Sequence, residues 1–163
     1  MLHSFPRCAQ HSFVDDIDHA LLLQLMQNCR QTNTELADRV GLTPAPCLRR
    51  IRRLEEEGIV LGYHAHVQPA AIDMGFAVLV DIELSGHDQP TVQRFEDALI
   101  ALDEVVEARR MFGAPDYHAR IAVKDLAAYE QFLSNKLMAL PGLARLQSRF
   151  PMKTLKDASS PIG

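Results

Sequence analysis

Thr43-Pro44-Ala45-Pro46-Cys47-Leu48-Arg49-Arg50-Ile51-Arg52-Arg53-Leu54-Glu55-Glu56-Glu57-Gly58 reads as one capped helix with a basic face and an apolar back. At about 100° per residue, Cys47, Leu48, Ile51 and Leu54 fall on one side and Arg49, Arg50, Arg52 and Arg53 on the other. One face can therefore dock on a core while the opposite face stays outside. Thr43 is placed to cap the first free N–H groups, Pro44 suits the first helical position, and Pro46 still lies where backbone donors lack an intrahelical partner. Gly58 supplies a left-handed exit. Arg52–Glu56 and Arg53–Glu57 pairs would also suit a plain solvated helix. With the acid C-terminal to the base, however, they have the weaker orientation, worth about 0.2–0.5 kcal/mol each.

The residues before this helix favour a DNA-binding reading. Thr32-Asn33-Thr34-Glu35 fits a capping box ahead of a short helix that turns Leu36, Ala37 and Val40 inward, and Gly41 ends it. A short helix, a glycine turn and a second helix with a basic outer face form the helix-turn-helix pattern, whose second helix enters the major groove N-terminus first. Thr43, Ala45, Arg49 and Arg50 then lie nearest the bases, with Arg53 as a further contact. Asp15 or Asp16 starts a third helix in which Ile17, Leu21, Leu22, Leu25, Met26 and Cys29 recur at helical spacing. Ile59 to Val67 is short and β-prone between Gly58 and Pro69, and is expected to form a wing and a strand leading out of the domain.

The totals limit the alternatives. A net charge of −4 and a pI near 5.9 place any DNA contact on a local patch and not over the whole surface. Residues 1–67 carry seven Lys or Arg against eight Asp or Glu, and four of those seven bases sit on the one helix. Cys8, Cys29 and Cys47 show neither a disulfide framework nor zinc spacing, and the latter two fall on expected buried helix faces. His64 and His66 would share a strand face but have no third ligand nearby. His3, Cys8 and His11 belong to a polar arm. No metal site and no cofactor is expected. No apolar run is long enough to span a membrane and the N-terminus lacks a secretory pattern, so a cytoplasmic, nucleoid-associated protein is expected.

Beyond Pro69 to Gly75 the pattern becomes strand, helix, strand, strand, helix, strand. The strands are Phe76 to Leu84, Val105 to Phe112, Tyr117 to Val123 and Arg145 to Met152. The helices are Pro90 to Leu102 and Leu126 to Leu140, the second capped by Asp125 and ended by Pro141-Gly142. Two such units make the ferredoxin-like βαββαβ fold, with helices on one sheet face and the other face left for a second copy to cover. The expected class is α+β. Residues 1–13 are expected to form a flexible arm, 14–67 a winged helix-turn-helix, 68–75 a linker and 76–163 an oligomerisation domain.

This order of motifs resembles the leucine-responsive regulatory protein family, Lrp/AsnC. The matching segments are Val14-Asp15-Asp16-Ile17-Asp18, Val40 to Cys47, Arg52-Arg53-Leu54-Glu55, Gly58-Ile59, Gly62-Tyr63, Gly113 with Asp116-Tyr117, Asp125 to Tyr129, and Leu140-Pro141-Gly142. The resemblance implies a non-enzymatic transcription regulator that binds double-stranded DNA, forms homodimers that assemble further, often to octamers, and responds to a small amino-acid effector. It places the effector on the loop Gly113-Ala114-Pro115-Asp116-Tyr117 and the start of the following helix at Leu126. An acceptor for an ammonium, backbone donors for a carboxylate and a small residue for close approach fit Asp116, the loop amides and Gly113 in turn. Arg109-Arg110 and His118-Ala119-Arg120 depart from the apolar residues common in relatives and are expected to alter the pocket or rim an assembly interface. An enzyme on this scaffold finds no support, since no nucleophile–base pair, phosphate loop or paired carboxylates are legible. An architectural DNA-binding protein without sensing is the alternative.

Overall fold

The computed structural model describes residues 14–155, which divide into two compact units, 14–66 and Val67–Leu155. The proposed arm at 1–13, with His3, Cys8 and His11, lies outside the described residues.

The first unit is three helices, α1 (Asp16–Gln27), α2 (Asn33–Arg39) and α3 (Pro44–Glu56). Asp15 and Asp18 close a reciprocal capping box on α1, and Thr32 and Glu35 close one on α2. Both later helices end in the same device. Gly41 and Gly58 take φ of 69° and 68°. The next amides, of Leu42 and Ile59, then reach back to the carbonyls of Ala37 and Leu54 at 2.8 and 2.9 Å. Leu21, Leu36, Ala37, Cys47 and Ile51 form the core, with Ile17, Leu25, Val40 and Leu42 packed against it.

Three expectations need correction here. Leu48 is 39% exposed and does not join Cys47, Ile51 and Leu54 inside. Cys29 lies beyond the end of α1 and is exposed, as is Met26, while Cys47 is fully buried. The run from Ile59 to Val67 forms no strand. Among the described residues no neighbouring strand exists in this unit for it to pair with, and Gly62, at φ 153°, breaks its extended run. It is instead held back on α3 by Tyr63, whose hydroxyl donates to Glu55 Oε1 at 2.7 Å. Burial and that carboxylate push the Tyr63 phenol up to about 12.

The second unit is a four-stranded antiparallel sheet of order β2-β3-β1-β4, with β1 (Phe76–Leu84), β2 (Val105–Arg110), β3 (Tyr117–Val123) and β4 (Leu143–Arg149). Helices α4 (Gln89–Ile100) and α5 (Leu126–Asn135) follow β1 and β3, and a 3₁₀ turn at Leu137–Ala139 completes the second connection. This is the ferredoxin-like arrangement. Strand alternation sorts the faces. Val78, Val80, Ile82 and Leu84 join Tyr117, Ala119, Ile121 and Val123 against Val92, Phe95 and Leu99 of α4 and Tyr129 and Phe132 of α5.

Among the described residues nothing covers the opposite sheet face, and it is not apolar. Besides Leu79 it carries Asp81, Glu83, Glu107, Arg109, His118, Arg120, Arg145 and Arg149. Asp81 accepts from both His118 Nδ1 and Arg149, and Glu107 pairs with Arg109 Nε at 2.6 Å and Arg120 Nε at 3.5 Å. A second copy seated here would meet alternating charge and not a greasy patch.

Candidate functional site

The outer side of α3 has one composition and its flank another. Arg50 stands three residues after Cys47 and four before Leu54, so it faces α1. Its Nη1 donates to Asp15 Oδ2 at 2.7 Å and Asp18 Oδ1 at 2.8 Å, and Arg53 Nη2 donates to Asp18 Oδ2. Asp18 is fully buried. Its carboxylate also accepts the Asp15 amide at 3.2 Å, so the charge is compensated by two guanidiniums and a backbone donor. Hydrogen bonds to Asp18 and then Asp15 raise Arg50 further above its ordinary value.

Arg50 and Arg53, expected to face DNA, thus hold α3 on α1. Arg49 and Arg52 are exposed, and among the described residues neither makes an ion pair or a side-chain hydrogen bond. Arg52 was missing from the expected contacts, although it lies opposite Ile51 and Leu54 on the helix wheel. Thr43 and Ala45 are exposed at the start of α3, as expected. Thr43 makes no side-chain cap, because the third helical position is Pro46 and has no N–H to offer. Asn33 Nδ2 instead ties α2 to the Pro44 carbonyl at 2.7 Å.

At one end of the second unit's sheet, the β2–β3 loop borders a cavity of about 420 Å³ lined by Glu83, Leu84, His87, Arg110, Asp116 and Tyr117, among others. That volume lies in the range of small-molecule sites. Met111 N–H closes the loop on the Asp116 carbonyl at 2.8 Å. Gly113 takes φ 108°, and a Cβ built there would meet nothing within 4 Å. The backbone conformation by itself already calls for glycine at this position.

Asp116 is not a free carboxylate. It accepts the Leu84 amide at 2.7 Å and faces His87 Nε2 at 2.8 Å. The Leu84 N–H chiefly holds its carboxyl below the usual value, against burial, with His87 adding to the effect. Tyr117 is buried, stacks near Phe95 at 4.9 Å between centroids, and donates its hydroxyl to Glu96 at 2.8 Å. Burial first, and Glu96 second, push its phenol up to about 12. Leu126 is 59% exposed, opens α5 beyond the far end of β3, and does not line this cavity. Seven residues of strand, about 23 Å at 3.3 Å each, separate the two. Arg109, His118 and Arg120 belong to the charged sheet face, so Arg110, His87 and Glu83 are the charged neighbours of the loop. His87 was not anticipated, since nothing in its local sequence signals a partner 29 residues later.

Folding lowers Asp116, so its contribution is present above the ordinary carboxylate value near ~3.9 and lost as pH falls through the lower folded value. The Leu84 amide resonance is expected to titrate with a midpoint below ~3.9. A midpoint at or above that value would show that the anchor is absent in solution.

Sequence comparisons agree with both halves. Residues 77–161 match the family described as Lrp/AsnC ligand binding domain, and residues 14–60 match winged helix-turn-helix DNA-binding domains. The chain belongs to the Lrp/AsnC family of transcription regulators. It is 37% identical over 148 residues to the Bkd operon transcriptional regulator of Pseudomonas aeruginosa, covering 91% of this chain and 97% of that one. It is 35% identical over 146 residues to the leucine-responsive regulatory protein of Escherichia coli, covering 90% and 89%. A crystal structure of a Neisseria meningitidis transcriptional regulator in complex with L-Met superposes with a TM-score of 0.84 at 31% identity, covering 91% and 97%. An AsnC family regulator from Agrobacterium tumefaciens gives 0.83 at 31%, covering 88% and 93%. These relatives are regulators, not enzymes. Among the described residues of this Lrp/AsnC chain, no cluster of His, Cys, Asp and Glu suits a metal, and no helix is long and apolar enough to cross a membrane.

Proposed function

We propose that this Lrp/AsnC regulator binds specific double-stranded DNA through α3 as a homodimer or higher assembly, up to an octamer, and is switched by a small amino acid at the Gly113–Tyr117 loop. The supporting observation is the cavity beside that loop, where opposite charges and apolar surface converge. Arg110 offers a carboxylate partner and Glu83 an ammonium partner, with Leu84 and Val92 toward a side chain. Asp116 already anchors the loop, yet a carboxylate has about four lone-pair sites and retains capacity for an ammonium. The relative crystallised with L-Met supports an amino-acid effector.

The charged sheet face suits a second copy through complementary pairs, and pairing two chains would present two α3 helices to half-sites about 34–36 Å apart. Exposed Leu126 is then available to the site from a neighbouring copy. Such a protein works on the nucleoid, in the cytoplasm.

A thermal-shift screen of the twenty amino acids tests the effector. A ligand of the native state raises the midpoint through RT ln(1 + [L]/Kd). At least one amino acid is expected to stabilise the full chain and to change its sedimentation profile. Couplings of about 1–3 kcal/mol are typical of such switches. No shift and no heat with any of them, while DNA binding persists, would leave an architectural protein that senses nothing.

A further inference from the structure

Ala45, Leu48, Arg49 and Arg52 are spaced i, i+3, i+4, i+7 and form one exposed stripe on α3, opposite buried Cys47, Ile51 and Leu54. Isolated exposed leucines are ordinary on protein surfaces. Leu48 differs in its setting, because it stands in the same stripe as two guanidiniums that have no partner among the described residues. A helix face meant only to hold phosphates gains nothing from a leucine there. In the major groove the thymine C5-methyl is the apolar feature that a base edge presents, while arginine suits the O6 and N7 of guanine.

We propose that Leu48, with Ala45 beside it, reads thymine methyl groups, and that Arg49 and Arg52 read or clamp the flanking positions. The half-site therefore contains at least one base pair recognised by its methyl group alone. This rests on α3 being the DNA-reading helix.

Replacing thymine by deoxyuridine removes only that methyl and tests the idea without altering the protein. Full-length protein is first used to select duplexes from a randomised pool, and each thymine of the selected half-site is then replaced singly. Burying one methyl is worth roughly fourfold in affinity. Wild type is expected to bind about fourfold more weakly at one or two deoxyuridine positions per half-site. Leu48→Ala should bind the thymine duplex with that same loss, keep its thermal midpoint and no longer distinguish the two duplexes. Arg49→Ala should weaken both duplexes while preserving their ratio.

Equal binding of every deoxyuridine duplex by wild type would overturn the proposal, as would continued discrimination by Leu48→Ala. A pool that yields no preferred sequence would overturn sequence-specific reading by α3 itself, and this proposal with it.

Discussion

Asp18→Ala is expected to destabilise the three-helix unit by about 3 kcal/mol, the lower end of the range for breaking a buried ion pair. The cost arises because a fully buried carboxylate compensates Arg50, Arg53 and the Asp15 amide together. It falls at the lower end because the Arg50 and Arg53 side chains are 29% and 39% exposed and can partly return to water. Replacing the whole cluster with apolar residues of similar volume should cost far less, since no charge is then left unpaired. Urea unfolding followed by helical circular dichroism measures both variants. An Asp18→Ala protein with the wild-type midpoint would show that the cluster contributes nothing to holding α3 in place.

The double change Arg49→Ala, Arg52→Ala should have the largest effect on DNA binding and almost none on stability. Each base-reading arginine is worth roughly 1–3 kcal/mol, so a combined loss of roughly 2–6 kcal/mol, at least about thirtyfold in affinity, is expected. Where an arginine touches phosphate instead, binding to every sequence weakens and the salt slope falls by about 1 for each contact. Exposed substitutions of this kind ordinarily change stability by less than about 0.5 kcal/mol. Arg50→Ala should do the reverse and lower stability first. If Arg50→Ala left the midpoint unchanged while the Arg49, Arg52 pair bound DNA normally, the assignment of outward and inward arginines would be wrong.

Much of this architecture was readable because its signals are local. The helix start at Asp15 or Asp16, the capping box at Thr32 and the glycine exits at 41 and 58 act within a few residues, and the structure has a capping box at each start and a left-handed glycine at each exit. What escaped depends on partners remote in sequence. Arg50 and Arg53 were expected on the outside because all four arginines were read as one face opposite the apolar back, yet Asp18, 32 and 35 residues away, recruits them. Four residues before Leu54, Arg50 borders the apolar side of α3, and Asp18, three, four and seven residues before Leu21, Leu22 and Leu25, falls on the apolar side of α1, where a carboxylate calls for a partner. Ile59 to Val67 has β propensity, but a strand needs a neighbour, and propensity cannot provide one. In the effector loop, Gly113 and Asp116 were assigned through the family resemblance, because glycine, proline and aspartate by themselves mark an ordinary turn. What the sequence did not show is the anchoring of Asp116 by the Leu84 amide, 32 residues away. Leu126 was attached to the same site by resemblance alone, and the length of β3 separates them within one chain.

The paired prolines opening α3 affect how quickly and cheaply DNA is engaged. Pro44 and Pro46 leave Ala45 as the only residue of the first three helical positions with an amide N–H, so the helix start has little backbone grip on a phosphate. The same rings fix φ near the helical value before any partner arrives, and each such restriction lowers the freedom of the unfolded chain by about 0.4–1 kcal/mol where the geometry is compatible. The reading surface is therefore ordered in advance, and association need not be accompanied by folding of the recognition element. A disordered basic segment would lose conformational entropy at every encounter. This helix meets each new site already formed, which suits a protein that must test and leave many wrong sequences before it stays on a right one.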